Sequence, residues 1–255
     1  MSKLLTLLYA GAAYLFGSAS LLYSIGWLGN VPGLPTTIDG QPGQPFFDAL
    51  LVDVALLLLF AVQHSGMARP AFKKIWTRIV PEGTERATYV LLSGVCLFAI
   101  CLRWQTLPGT VWHLDGPAAI AAWVLYAAGW VILFSATFMV NHADLFGLRQ
   151  ALLRFRSQPQ RPIVFVERYF YRVIRHPIMA GLLIAFWSAP HMSSGRLAFA
   201  LMTTTYIFVA LQFEERDLRR ELGATYTNYA ARVPMLVPGL PRSGSPQVGN
   251  RSTQT

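Results

Sequence analysis

Polar stretches with chemical potential interrupt an otherwise apolar chain. Arg175-His176-Pro177 precedes one apolar run, and Glu214-Glu215 follows the next. Pro177 biases His176 away from the α region and suits the first position of a helix. His176 therefore stands where the chain turns into a helix N-terminus, whose free N–H groups attract an anion such as a carboxylate. Glu214 and Glu215 can hold a cation. A ligand carrying both charges, such as an amino-acid zwitterion, suits the two ends together. Adjacent helix residues point about 100° apart, so the two glutamates cannot face one ligand equally. The glutamate turned away is expected to pair with Arg219 or Arg175. Two further clusters also end apolar runs: Asn141, His142 and Asp144, and Gln63-His64-Ser65.

A helical hairpin would bring the first two stretches together. Ile178 to Pro190 would rise roughly 20 Å as helix, and Arg196 to Phe213 roughly 27 Å. Between them lies Met192-Ser193-Ser194-Gly195, and Pro190 and Gly195 are helix breakers. An antiparallel pair returns both polar ends to one membrane surface.

The composition places that surface on a membrane. The chain has 255 residues, 54% of them hydrophobic and only 13% charged, which excludes a large soluble domain. Leu4 to Leu28 carries no charge over 25 residues, and Ala118 to Val140 none over 23. Each suffices to span a bilayer. Phe46 to Met67 makes a third span and Ala87 to Leu102 a shorter one. The expected fold is all-α: a polytopic integral membrane protein with five or six transmembrane helices, including the C-terminal hairpin, plus cytoplasmic surface helices. Residues 1–240 read as one domain. The Ser/Gly/Gln-rich 241–255 tail reads as disordered. Arg69 to Glu85 reads as an amphipathic helix lying on the membrane, with Phe72, Ile75, Trp76 and Ile79 at helical spacing.

Charge placement sets the orientation. If the spans alternate, 19 of the 21 Lys and Arg fall on one side, and only Arg103 and Arg196 fall on the other. The positive-inside rule then puts both termini and the reactive loops in the cytoplasm. The net charge of +9 is accounted for by topology and anionic lipid. It sits in short loops flush with the membrane, which argues against a nucleic-acid partner. Cys96 and Cys101 are five apart on one span and do not face each other, so neither a disulfide nor a metal site is expected. The N-terminal apolar run continues through Trp27 and reads as an uncleaved first span. Trp104 and Trp112 fit an interfacial belt. Asp53 and His64, nearly three turns apart, share a helix face. Asp53 lies far from the reactive surface and is expected to have a structural partner. His113 reads as exposed, and His191, at the hairpin tip, is given no role.

The order Arg175-His176-Pro177, hairpin, Glu214-Glu215, Gly223 with Tyr226 and Tyr229, then Val233-Pro234 with Pro238 resembles the integral-membrane methyltransferases. That family is typified by isoprenylcysteine carboxyl methyltransferase and phospholipid N-methyltransferase. One departure is Met179, where many members place an aromatic residue. Asn141-His142-Ala143-Asp144-Leu145-Phe146-Gly147-Leu148-Arg149-Gln150, with Gln63-His64-Ser65 and Ala68-Arg69-Pro70, is similar to the bacterial methanethiol S-methyltransferases within that family. The resemblance runs from about Leu8 to Pro238. It implies S-adenosyl-L-methionine as cofactor, a small thiol as substrate and the inner membrane of a bacterium as location. On this reading Arg175, His176, Pro177, Gly181, Glu214, Glu215, Tyr226 and Tyr229 bind the cofactor.

Methyl transfer from a sulfonium to a thiolate removes two opposite charges, so a dry pocket lowers its barrier and positioning adds to the effect. The thiolate is the nucleophile, so a base must receive the thiol proton. His142, Asp144 and His64 are the expected bases, Tyr171 an orienting group, and Asn141 and His64 substrate contacts. Other readings keep the cofactor but change the acceptor to an isoprenylcysteine carboxylate or a lipid amine. Non-catalytic readings are an NnrU-like membrane protein or a transporter. Arg175-His176-Pro177 with Glu214-Glu215 argues against the non-catalytic ones.

Overall fold

A computed structural model describes residues 2–81, 83–160 and 167–239; the 241–255 tail lies outside them. Five of its helices are long and apolar enough to cross a membrane: α1 (Lys3–Leu28), α2 (Phe46–Ala68), α4 (Glu85–Arg103), α5 (Gly116–Val140) and α9 (Ser194–Leu222). Shorter helices are α3 (Pro70–Trp76), α6 (His142–Leu145), α7 (Leu148–Phe155), α8 (Pro177–Trp187) and α10 (Ala224–Arg232). The protein is an all-α polytopic membrane protein. Leu15, Leu22, Val62, Ile120, Val131 and Phe138 turn outward from the bundle. In water such a surface would be costly, and in lipid it is the expected outer face.

Among the described residues there are five full-length spans and one shorter apolar helix, α8. With 11 residues, α8 rises only about 16 Å against a hydrocarbon core of about 30 Å. It stops at Trp187 because the chain then forms β2 (His191–Ser193), which pairs antiparallel with β1 (Thr110–His113). This small sheet replaces the plain turn and loop expected from the sequence. Strands of four and three residues are too short to show a period.

Alternating spans bring the ends of six helices to one face. Tyr9 on α1 donates to Thr88 on α4 at 3.0 Å, and Tyr14 meets His142 at 3.1 Å. Arg69, at the end of α2, pairs with Asp217 on α9 at 2.9 Å. The expected surface helix is shorter than its pattern suggested: α3 ends at Trp76, and Pro81 and Gly83 keep the following residues from continuing it. The expected hairpin is also modified. The polar ends of α8 and α9 do meet, but α8 packs chiefly on α5.

Glycines make the two closest helix crossings. A Cβ on Gly94 of α4 would lie 2.9 Å from the Gly17 Cα on α1, and one on Gly181 of α8 would lie 2.5 Å from the Gly129 carbonyl oxygen on α5. Small residues at such crossings let helix backbones approach inside a membrane. Gly181→Leu should push α8 off α5 and cost about 1–3 kcal/mol, as overpacking does. Thermal denaturation of the detergent-purified variant checks this, and an unchanged midpoint would contradict the crossing.

At the opposite face, the loop after α1 is docked rather than loose. Ile38 is fully buried. Asp39 accepts from Asn30 Nδ2 at 2.6 Å and from the Ser193 hydroxyl. The buried Arg196 donates to the Leu28 carbonyl. Asp53 accepts from the Gln105 backbone N–H at 2.8 Å, the structural partner expected for it. Trp104 is not a belt residue. It is buried edge-on against Trp27 and Phe199, with ring centroids 5.7 and 5.6 Å away.

Candidate functional site

The Arg-His-Pro segment is clamped from two directions. The Arg175 N–H donates to the Pro234 carbonyl at 2.9 Å, and the His176 N–H to that of Met235 at 3.1 Å. The Val233-to-Pro238 stretch thus returns alongside the start of α8. Pro177 opens α8 after His176, with φ −124° and ψ 65° at the histidine, as the X-Pro restriction requires. The Arg175 side chain gives Nε to Glu215 Oε1 at 2.8 Å. Its Nη1 donates to both the Ala230 and Val233 carbonyls, at 2.9 and 2.6 Å.

The two glutamates separate as helix geometry demands. Glu215 is buried and receives Arg175 Nε, His176 Nε2 at 2.9 Å, the Tyr226 hydroxyl at 2.7 Å and Arg219 at 2.9 Å. It pairs with both expected arginines. Glu214 keeps its carboxylate half exposed, at 46%, with His176 Nδ1 3.6 Å away. His176 therefore lies between the two, holding Glu215 closely and facing Glu214 loosely.

Tyr226 and Tyr229 are buried with Ala230 and Val233 in a small core of their own. The Tyr229 hydroxyl donates to the Tyr171 carbonyl at 2.6 Å. Both tyrosines brace the Arg-His-Pro segment. Burial, with the nearby Glu214 carboxylate, raises the Tyr171 phenol well above its usual range. It stays protonated and can donate a hydrogen bond. Gly181 faces α5 at the helix crossing.

The two histidines proposed as bases lie in different clusters. His64 on α2 meets the Tyr89 hydroxyl at 2.8 Å and Ser93 at 3.2 Å, both on α4, and stacks on Phe60 with centroids 5.1 Å apart. Ser65 beside it bonds Tyr206 on α9 at 3.0 Å. With Arg69 paired to Asp217 on α9 at 2.9 Å, this end of α2 packs on the helix that carries Glu214. His142 is held on the α1–α5 side by Tyr14 and by Thr137 at 2.9 Å, stacked on Phe138 at 4.3 Å. Burial lowers the His142 pKa, which keeps its ring neutral. Asn141 accepts from the Asp144 N–H at 3.2 Å as a helix cap. Asp144 is buried against Arg149. Arg86 joins the two sides, its Nε 3.5 Å from the Asp144 carbonyl oxygen.

Tyr89, Ser93 and Arg86 were not singled out from the sequence. The available signal was their spacing. At i, i+3 and i+7 they form a polar stripe along the first half of a span, and polar groups inside spans face partners or cavities.

A buried ionic clasp at a helix start, a loosely held carboxylate beside it, and a histidine–tyrosine pair in the next helices make a polar cluster at one membrane face. The chain belongs to the NnrU protein family, whose pattern matches residues 52–236. It is 46% identical over 239 residues to a Mycobacterium tuberculosis protein named methanethiol S-methyltransferase, covering 93% of this chain and 98% of that one. It is 47% identical over 242 residues to methanethiol S-methyltransferase 2 of Bradyrhizobium diazoefficiens, covering 94% and 92%. It is 42% identical over 239 residues to a methanethiol S-methyltransferase of Crocosphaera subtropica, covering 93% of each. No solved structure matches the chain.

Proposed function

We propose that this protein is an S-adenosyl-L-methionine-dependent thiol S-methyltransferase. It converts methanethiol to dimethyl sulfide at the cytoplasmic face of a bacterial inner membrane. The names of its relatives support the methyltransferase class and the thiol. Residues 1–240 act as one membrane domain, and the Lys/Arg asymmetry supports the orientation. The observation that carries the cofactor assignment is the division of labour at Glu214-Glu215: one carboxylate is consumed by the clasp, and the other is left half exposed beside it.

The donor set fits the methionine end of this cofactor. The first N–H groups of α8 suit its carboxylate, and Glu214 suits its ammonium. Arg175, Glu215, Tyr226 and Tyr229 hold those groups in place rather than touching the ligand. S-adenosyl-L-methionine bound there supplies an electrophilic methyl group on a positively charged sulfur. The chain's own task is to exclude water and to take the thiol proton. Of the three expected bases, His64 is best placed. Its ring is fixed by Tyr89 and Ser93, and its end of α2 packs on the helix that carries Glu214. Tyr171 serves as a donor. His142 and Asp144, with local partners already, set the wall opposite.

His64→Ala should lower turnover about 10²–10⁴-fold while leaving cofactor affinity intact, the usual range for a general base. Tyr89→Phe should lower it about tenfold, the value of one lost hydrogen bond. Single-turnover rates on purified protein check both. Equal activity in His64→Ala would return the role to His142.

The function itself is tested by calorimetric binding of S-adenosyl-L-methionine to detergent-purified protein, then by gas-phase detection of dimethyl sulfide after adding methanethiol. Binding with product supports the proposal. Binding without product moves the search to other acceptors. No binding by folded protein overturns the cofactor assignment.

A further inference from the structure

The strongest feature outside that polar cluster is a pair of histidines at the opposite membrane face. His113 on β1 stands directly across from His191 on β2 in the strand register. Their Nδ1 atoms are 3.3 Å apart, with rings 65° from coplanar. Asp115 lies 3.2 Å from His113 Nε2. We propose that His113 and His191 form a zinc-binding site, with Asp115 orienting His113 from behind.

The geometry favours this ion. Two nitrogens bound at about 2.05 Å in a tetrahedron stand about 3.3 Å apart. The observed spacing needs no movement of either strand. A square-planar ion would need them closer. Zinc-bound histidines usually give their second ring N–H to a carboxylate, which fixes the tautomer and the ring direction. Asp115 lies on that side of the ring, 3.2 Å from Nε2, while Nδ1 is turned toward His191. The pair is also a cross-strand pair, so the backbone of both strands sets its spacing. Water completes the coordination, since the site is exposed.

The site would tie two connections together. β1 links α4 to α5, and β2 links α8 to α9. The sheet is also held by Trp112 Nε1 donating to the Ala189 carbonyl at 3.0 Å and the Leu114 N–H donating to that of Pro190 at 2.8 Å. A bound ion would therefore staple the turn that follows the short α8. This places it far from the Arg175–Glu215 clasp, at the other end of α8 and α9.

The test uses the full chain, purified in detergent through an affinity tag that contains no histidine. Zn²⁺ is titrated by calorimetry, and Co²⁺ by visible absorption. The expected result is one equivalent of Zn²⁺ and the intense visible bands of tetrahedral Co²⁺. His113→Asn and His191→Asn should each weaken binding more than tenfold, and Asp115→Asn about tenfold, the lower end of the range for outer-shell partners. His191→Cys should keep the ion and add a thiolate-to-Co²⁺ charge-transfer band. All three positions lie in or beside the surface sheet, and circular dichroism checks that each of the four variants is folded. Binding that survives both asparagine substitutions places the ion elsewhere and overturns the proposal. So does the absence of binding at millimolar Zn²⁺.

Discussion

Glu215→Gln should unfold the C-terminal third of the molecule more easily than any other single change at the clasp. The Glu215 carboxylate is buried and receives four donors: Arg175, His176, Tyr226 and Arg219. A glutamine keeps the shape but loses the charge, and its amide nitrogen must face at least one donor. Arg175 is itself buried and cannot regain water. Removing one partner of a buried pair costs about 3–5 kcal/mol, because the remaining charge is left uncompensated. The thermal midpoint in detergent should fall accordingly, and cofactor affinity should fall with it, since His176 and the start of α8 lose their anchor. A control separates the charge from the packing. Replacing both partners by apolar residues, Arg175→Met with Glu215→Leu, should recover much of the stability lost in either single variant. It should not recover binding, because His176 would lack its fixed partner. A Glu215→Gln protein that melts at the wild-type temperature would show that the clasp is not what holds this end together.

The parts of this molecule that were legible in the sequence follow from chemistry that repeats at short range. Uncharged runs of 23–25 residues mark spans directly, because lipid admits few alternatives. The meeting of Arg175-His176 with Glu214-Glu215 followed from two polar ends on one side of a hairpin. That one glutamate must turn away was visible from the helix angle alone. Which one turned away was not, because Arg175, Arg219 and Tyr226 come from three separate segments. The packing of α8 on α5 was hidden for a similar reason. Gly129 and Gly181 are ordinary until two backbones meet at them. Trp104 looked interfacial because it ends a span, yet the docked 29–45 loop roofs it over into the core. The His113–His191 pair depends on a sheet seven residues in extent. Its strands are separated by α5, α6, α7 and α8 in the chain, so no local pattern announces it.

Glu214→Gln should weaken cofactor binding roughly 10- to 150-fold while sparing the fold, where Glu215→Gln loses both. Glu214 is half exposed, and its nearest basic group, His176 Nδ1, is 3.6 Å away. Exposed pairs of this kind contribute about 0–1 kcal/mol, and screening lowers that further, so the melting midpoint should barely move. Its neighbours give the same answer. Arg175, Arg219 and Tyr226 all donate to Glu215. If the carboxylate holds the ammonium of S-adenosyl-L-methionine, its removal strips a charge-assisted hydrogen bond from a site shielded by lipid and helix. Such bonds are worth about 1.5–3 kcal/mol, a loss of roughly 10- to 150-fold in affinity. Glu214→Asp tests position rather than charge, and should fall between glutamine and wild type because its carboxylate stops one methylene short. Calorimetry gives the affinity of each variant, and single-turnover methyl transfer at saturating cofactor shows whether the chemistry survives once binding is forced. Two variants one residue apart would then fail differently, Glu215→Gln through stability with binding lost behind it, and Glu214→Gln through binding alone. If Glu214→Gln lost stability as Glu215→Gln does, the two carboxylates would be acting as one structural unit, and the ammonium would have to be held elsewhere in this polar cluster.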